Sequence, residues 1–255
     1  MGAGAQAARD DDGGKAIEAA AELGRWEWLP DAIRTGGFCA ARLAEQLGLR
    51  ATDVDLRRRE LDVNGVWETP PSGKRAGQGK VRVGQRKPHP KNRKRRTTPY
   101  VGSMHDMYRR RVAIAFGMPE DTDAEVLAAR VDAERERRAE LTAHGDWRDA
   151  AVPVAEEPWL FPGVDGVPPT AEQFNDAWHV VRDAVGWKKT IPYRNLRHHA
   201  VLWWKAKLTR TDTEESTGWD TIADWSGHDV RTLMAYYTIP SEEATKRARG
   251  RLDQL

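Results

Sequence analysis

The chain has 255 residues, with 41 Lys plus Arg against 39 Asp plus Glu, seven His, one Cys and eleven Trp. The single cysteine, Cys39, excludes an intramolecular disulfide and any multi-cysteine zinc site, so the expectation is metal-free chemistry without a cofactor in a reducing compartment. No apolar run approaches the roughly 18 residues of a membrane span, and Asp10-Asp11-Asp12 stands where a secretory signal needs positive charge, which points to a cytoplasmic protein.

Residues 1–14 are rich in Gly, Ala and Asp and are expected to be disordered. Helices are expected over 15–23, 28–35 and 39–48, the last from the helical spacing of Ala40, Leu43 and Leu47. Leu61 to Glu68 and the stretch 80–100 read as strands. Helices come next over 107–116 and 122–143. A loop from Pro153 to Pro169 encloses the apolar run Trp159-Leu160-Phe161. Thr170-Ala-Glu-Gln is a capping-box signal for a helix through Val185, with Gly186 at its end. Leu196, Ala200, Trp204 and Leu208 form an i, i+4 stripe on a further helix. Helices are expected again from Trp219 or Asp220 to Trp225 and from Val230 to Tyr237, and a polar one opens at Ser241. The predicted class is mainly α with a small antiparallel β-sheet (α+β).

The near-zero net charge conceals segregation. Eleven basic residues and no acid lie between Lys74 and Arg96, whereas Glu120 to Glu157 holds twelve acids against five arginines, a net −7. Val81, Val83 and Thr97-Thr98-Pro99-Tyr100 flank the basic run with strand formers, and Gly73, Gly77, Gly79 and Gly84 supply turns, so a basic β-hairpin is expected there. Arg86, Lys87, Arg93, Lys94, Arg95 and Arg96 are expected to contact phosphates without reading bases. The basic run favours a nucleic-acid partner, and the acidic helical insert 120–157 is expected to face away from it.

The C-terminal third contains Pro192-Tyr193-Arg194-Asn195-Leu196-Arg197-His198-His199, then Trp225-Ser226-Gly227-His228, then Tyr236-Tyr237. This pattern resembles the signature of the tyrosine recombinases, the phage-integrase family, in which a Leu-Arg-His helix start is followed by Leu-Gly-His and, nine residues after that His, by a nucleophilic tyrosine. Tyr237 is nine residues after His228, which selects it over Tyr236. The family lysine lies in a β-hairpin turn eight residues before the proline that ends the second strand, and Lys91 stands eight before Pro99. Two positions compete for the family's first arginine. Gly48-Leu49-Arg50 matches letter by letter, but the run from Leu49 to Leu56 matches the family's segment downstream of that arginine, and counting back eight lands on Arg42, with Glu45 at +3. Arg42 is preferred and Arg50 is the alternative.

The resemblance implies a catalytic domain over 15–255 that cleaves and rejoins duplex DNA through a 3′-phosphotyrosyl link and self-associates on DNA, with neither a membrane nor a small-molecule partner. It implies Arg42, Lys91, Arg194, Arg197, His228 and Tyr237 as the catalytic set and Glu45 as support. Those residue types suit the reaction: guanidinium groups donate permanently charged, bidentate hydrogen bonds to the charge that builds on a phosphodiester in its transition state. A phenol is a usable nucleophile, and a lysine in a cationic setting is a competent acid. The chain departs from the family in carrying Arg194 where histidine is usual, a longer span from Arg197 to His228 with the surplus in Thr209 to Gly218, and only 41 residues before Arg42, too few for the family's core-binding domain. A non-catalytic or truncated DNA-binding remnant is therefore the alternative function, and an RNA-binding helical protein a third.

Overall fold

Apolar residues at helical spacing build the frame. The computed structural model describes residues 10–69, 84–87, 95–143, 156–163, 165–208 and 218–237, without the side chains of 10–13, 141–143 and 236–237. Helix α1 (Asp10–Leu23) starts earlier than the composition suggested and buries Ala16 and Ala20. Helix α2 (Leu29–Phe38) has Pro30 in its first turn, where a missing N–H costs nothing. Helix α3 (Leu43–Leu47) is shorter than the expected 39–48 helix: Ala40 takes a left-handed φ of 50° and Arg42 is extended, so the chain turns between Cys39 and Arg42 before it can coil again.

The expected strand 61–68 is two strands. Strand β1 (Val54–Asp55) pairs antiparallel with β2 (Glu60–Val63), and the chain breaks at Asn64-Gly65 before β3 (Val66–Glu68). Strand β4 (Gln85–Lys87) pairs with β3, and β5 (Arg96–Pro99) pairs with β2, so the described sheets run β1-β2-β5 and β3-β4, all antiparallel. The basic hairpin is therefore corrected. Among the described residues, the strands on either side of Lys91 do not pair with each other, but each with a successive piece of the broken strand. Pro99 does end β5.

Helices α4 (His105–Ala115), α5 (Ala124–Ala143), α6 (Ala171–Ala184), α7 (Asn195–Leu208), α8 (Trp219–Ser226) and α9 (Val230–Tyr237) complete the order. The Thr170 cap closes as its sequence requires: the Gln173 amide donates to Thr170 Oγ1 at 3.1 Å and the Thr170 amide to Gln173 Oε1 at 2.8 Å. Trp159, Leu160 and Phe161 are buried, and the backbone there bonds to Leu49 and Ala51. The main core gathers α1, α2, α4, α6 and the start of α7, with Trp26 stacked on Trp28 at 5.0 Å. A second apolar cluster, Ala40, Ala200, Val201, Trp204, Ile222, Ala223 and Leu233, seats α8 and α9 on the rest of α7. Leu208 is only partly buried. The loop 209–217, Lys91 and the segment beginning at Ser241 lie outside the described residues.

Close backbone contact makes one glycine diagnostic. A Cβ on Gly48 would sit 2.9 Å from the Trp67 amide nitrogen and 3.0 Å from the Val66 carbonyl carbon, where α3 passes onto β3. Gly48→Ala is expected to lower unfolding free energy by about 1–3 kcal/mol in urea titration, the usual cost of overpacking.

Candidate active site

Four segments meet beside the second cluster: the turn Cys39–Arg42, strand β5, the first turn of α7, and the turn between α8 and α9. Their meeting point is Glu45, with 1% of its side chain exposed. The Arg42 amide donates to Glu45 Oε2 at 2.9 Å and its guanidinium to Oε1 at 2.7 Å. Arg96 donates to Oε2 at 2.6 Å, and Arg197 Nη1 lies 3.7 Å away. Arg42 also reaches the Gly227 carbonyl at 3.4 Å and keeps 34% of its side chain exposed.

Arg197 is aimed by main-chain carbonyls. It donates from Nη1 to the Ala40 carbonyl at 2.7 Å and from Nη2 to the Ser226 carbonyl. The left-handed turn at Ala40 presents the first of these, and a glycine C-cap in the left-handed region at Gly227 (φ 62°) ends α8 and turns the chain to His228. The His228 ring stands 3.4 Å from Arg197 Nε through Nε2 and 2.9 Å from Ser226 Oγ through Nδ1. An arginine has no acceptor, so the ring nitrogen facing it accepts and the imidazole is neutral.

The electrostatics are set by this crowding. Burial alone would raise the Glu45 carboxyl, but the hydrogen bond and charge of Arg96, with the charge of Arg42, bring it down to about 2. Burial and then the charges of Arg197 and Arg42 push His228 down to about 3. His198 moves down too, from burial and the charges of Arg197 and Arg194. Three guanidinium groups thus surround one carboxylate and one neutral imidazole. The surplus of positive charge suits an incoming anion, and Arg42 is the member that opens to solvent. Cys39 is no rival nucleophile: burial pushes its thiol up to about 12.

The other candidates are dispersed. Arg194 is exposed one turn before Arg197. Tyr237 is the last residue of α9, whose first residue lies two after His228. Lys91, Arg93 and Lys94 lie outside the described residues, and Arg95 is exposed. Lys87 is half-exposed and pairs with Glu68 at 2.6 Å. Two of the residues expected at phosphates face inward. Arg96 turns inward to Glu45 and the Trp225 carbonyl, and Arg86 turns inward to the Gly48 carbonyl at 2.9 Å, Asp53 at 3.1 Å and Asn64. Arg50 belongs to that second network, bonded to Asp53 and Glu157 and away from Arg197, whereas Arg42 sits beside it. Residue-type reading gave Arg96 a surface role and gave Ala40 and Ser226 none. For Arg96 the signal was the two-residue period of the strand, which sends Arg96 and Thr98 to the same buried face.

No protein-family model matches the chain, and no curated protein matches it by sequence. Solved structures do match. The Tn1549 transposon integrase in complex with transposon right end DNA superposes with TM-score 0.61 at 14% identity, covering 96% of this chain and 65% of that one. The same integrase in complex with circular intermediate DNA gives 0.62 at 13% identity, covering 98% and 68%. XerA recombinase gives 0.55 at 15% identity, covering 95% and 63%. The chain thus shares the fold of these integrase and recombinase structures, mainly helical with small antiparallel sheets, and spans about 65% of the length of the structure in complex with right end DNA. No helix among the described residues is long and apolar enough to cross a membrane.

Two measurements check the electrostatics. Glu45→Gln leaves buried arginine charge uncompensated and is expected to cost about 3–5 kcal/mol at neutral pH. Because folding depresses the Glu45 pKa, its contribution is present above pH 4.5 and is lost as pH falls toward 2, so the gap between wild type and variant in denaturant titrations should close over that window. The His228 ring in DNA-free protein should show no titration between pH 5 and 8 by NMR, whereas an unperturbed histidine would titrate near 6.5.

Proposed function

We propose that the protein cleaves and rejoins DNA strands as a site-specific recombinase or integrase, through a covalent 3′-phosphotyrosyl intermediate at Tyr237. The observation that carries this reading is the convergence of Arg42, Arg197 and His228, from three distant parts of the chain, at one positively charged point beside the helix that ends in Tyr237. The fold shared with the Tn1549 integrase and XerA recombinase supports it.

In the proposed reaction, Arg42 and Arg197 bind the non-bridging oxygens of the scissile phosphate and stabilise the charge that builds there. The Tyr237 phenol oxygen attacks phosphorus, its proton passing to water or to His228, and the bond to the 5′-oxygen breaks. Lys91 supplies the proton that the leaving oxygen takes up. His228, neutral in the free protein, hydrogen-bonds the phosphate or the phenol. The phosphotyrosyl ester retains the energy of the phosphodiester, so the 5′-hydroxyl of a partner strand can reverse the step without ATP. Arg194 can donate to the phosphate but cannot serve as a base at neutral pH. Exposed Arg95 and Lys87, with the neighbouring basic residues, bind the DNA backbone, and several protomers assemble on the duplex.

The alternative, a DNA-binding remnant without catalysis, is favoured by one feature, Arg194 in place of histidine. A pool of nicked duplexes with randomised sequence, each losing a short product on cleavage, distinguishes the two by trapping the covalent complex. Wild type should form an adduct that survives denaturing electrophoresis, Tyr237→Phe should form none, and Tyr236→Phe should retain it. Arg197→Ala should slow adduct formation by about 10²- to 10³-fold, as loss of one oxyanion donor does. No wild-type adduct, or an adduct in Tyr237→Phe, overturns the enzyme reading with this nucleophile.

A further inference from the structure

Arg96 lies within the basic run, yet it is among the best buried charges in the molecule, with 3% of its side chain exposed. Its guanidinium joins two parts of the site that Arg42 and Arg197 also bridge, through the Gly227 and Ser226 carbonyls. One edge donates to Glu45 Oε2 at 2.6 Å, the carboxylate that also binds Arg42 and faces Arg197. The other donates from Nε to the Trp225 carbonyl at 3.0 Å, in the turn that delivers Ser226 and His228. A Cβ on Gly227 would lie 3.1 Å from Arg96 Cδ and Nη1, so the α8–α9 turn is packed directly onto this side chain. We propose that Arg96 is a positioning residue for strand cleavage. It holds Glu45 in the orientation that presents Arg42 and Arg197 to one phosphate, and it docks the His228 turn against them, without touching DNA itself.

The geometry explains why an arginine suits this place. A planar fork can satisfy a carboxylate and a carbonyl that lie in different directions, whereas an ammonium concentrates its donors at one point. Without Arg96, Glu45 keeps its charge and has only Arg42 and Arg197 to neutralise it. Both would be drawn further onto the carboxylate and away from a phosphate. The loss therefore falls on the chemical step more than on DNA affinity, which the exposed basic residues supply.

This inference rests on the strand-cleavage reading, and the test separates the two. Arg96→Met, Arg96→Lys and the double variant Arg96→Met/Glu45→Gln are compared with wild type after circular dichroism and thermal melting confirm folding. Single-turnover adduct formation on nicked duplex should fall on the order of 10²-fold in Arg96→Met, while the Kd for the duplex changes less than about threefold. Arg96→Lys should recover part of the rate. The double variant should be less impaired than additivity of the single variants predicts, because removing the carboxylate removes the group onto which Arg42 and Arg197 would be drawn. In DNA-free protein, the side-chain Nε–H resonances of Arg42 and Arg197 should shift in Arg96→Met and move back toward wild type in Arg96→Lys. Unshifted resonances overturn the positioning role whatever the cleavage assay gives, as does a Kd that rises in step with the lost rate, which would make Arg96 a DNA contact. Shifted resonances in a chain whose wild type forms no adduct would retain the alignment and discard the reaction. If Arg96→Met does not fold, Arg96→Lys decides: unchanged rate and unshifted resonances overturn the proposal, and a reduced rate at constant Kd with shifted resonances supports it.

Discussion

A carboxylate taken out of water must find compensation or give up its charge, and Glu45 finds it three times over. That constraint organises the site. One of its arginines is local, on the residue that begins the same helix; one comes from a strand about fifty residues later; one comes from a helix about 150 residues later. A buried acid among three bases is not a neutral pair but a cationic assembly with a fixed centre. Its unspent positive charge is not relieved by the neighbouring imidazole, since burial and then the same charges hold His228 neutral. Anion binding is the state in which this arrangement has least electrostatic cost, and removing Glu45 would release the arginines from one another as well as unbalance them.

Two backbone devices let the assembly form. Ala40 occupies the left-handed region, a conformation that costs a non-glycine residue of order 1–3 kcal/mol. Its side chain is fully buried against α7, α8 and α9, so packing holds the turn, and the turn offers its carbonyl to Arg197. Gly227 is left-handed as the C-cap of α8, and a side chain there would also press on Arg96, 3.1 Å from its Cβ. The strain and the close approach lie on either side of the Arg197 guanidinium, which is where a site that must not relax would carry them.

How much of this was legible before the structure depends on the range of the signal. The Thr170 cap, the α7 stripe at Leu196, Ala200 and Trp204, and the bounds of α9 were readable because each is decided by residues within about one helical turn. The 39–48 helix was overestimated because the periodicity of Ala40, Leu43 and Leu47 is local, whereas the turn at Ala40 is imposed by contacts with helices more than 150 residues away. The basic run misled in another way. Counting charge treats eleven residues as one surface, but a strand sends alternate residues to opposite faces, and Arg96 and Arg86 became internal ties. Pairing was equally invisible: the break at Asn64-Gly65 redirects β4 and β5 to different strands, and the Arg86 guanidinium crosses over the Gly65 α-carbon.

The competition between Arg42 and Arg50 shows where local grammar stops. Both arginines precede a short helical turn, both are followed three residues later by an acid, and in both the acid accepts a hydrogen bond from the arginine's own amide at 2.9 Å. Locally the two are the same motif, and the eight-residue count chose between them without a physical reason. The reason is tertiary. Asp53 is met by Arg86 and Asn64 from the sheet, which closes its network inside the fold and ties Arg50 to Glu157. Glu45 is met by Arg96 and Arg197, and through Arg197 by His228, which leaves its network open toward solvent at Arg42. A closed ion network can stabilise a fold; only an open one can exchange a water for a phosphate. The same four-residue pattern therefore yields a structural tie at one position and, at the other, a solvent-open guanidinium of the kind the proposed reaction needs, according to which strand or helix arrives opposite the acid.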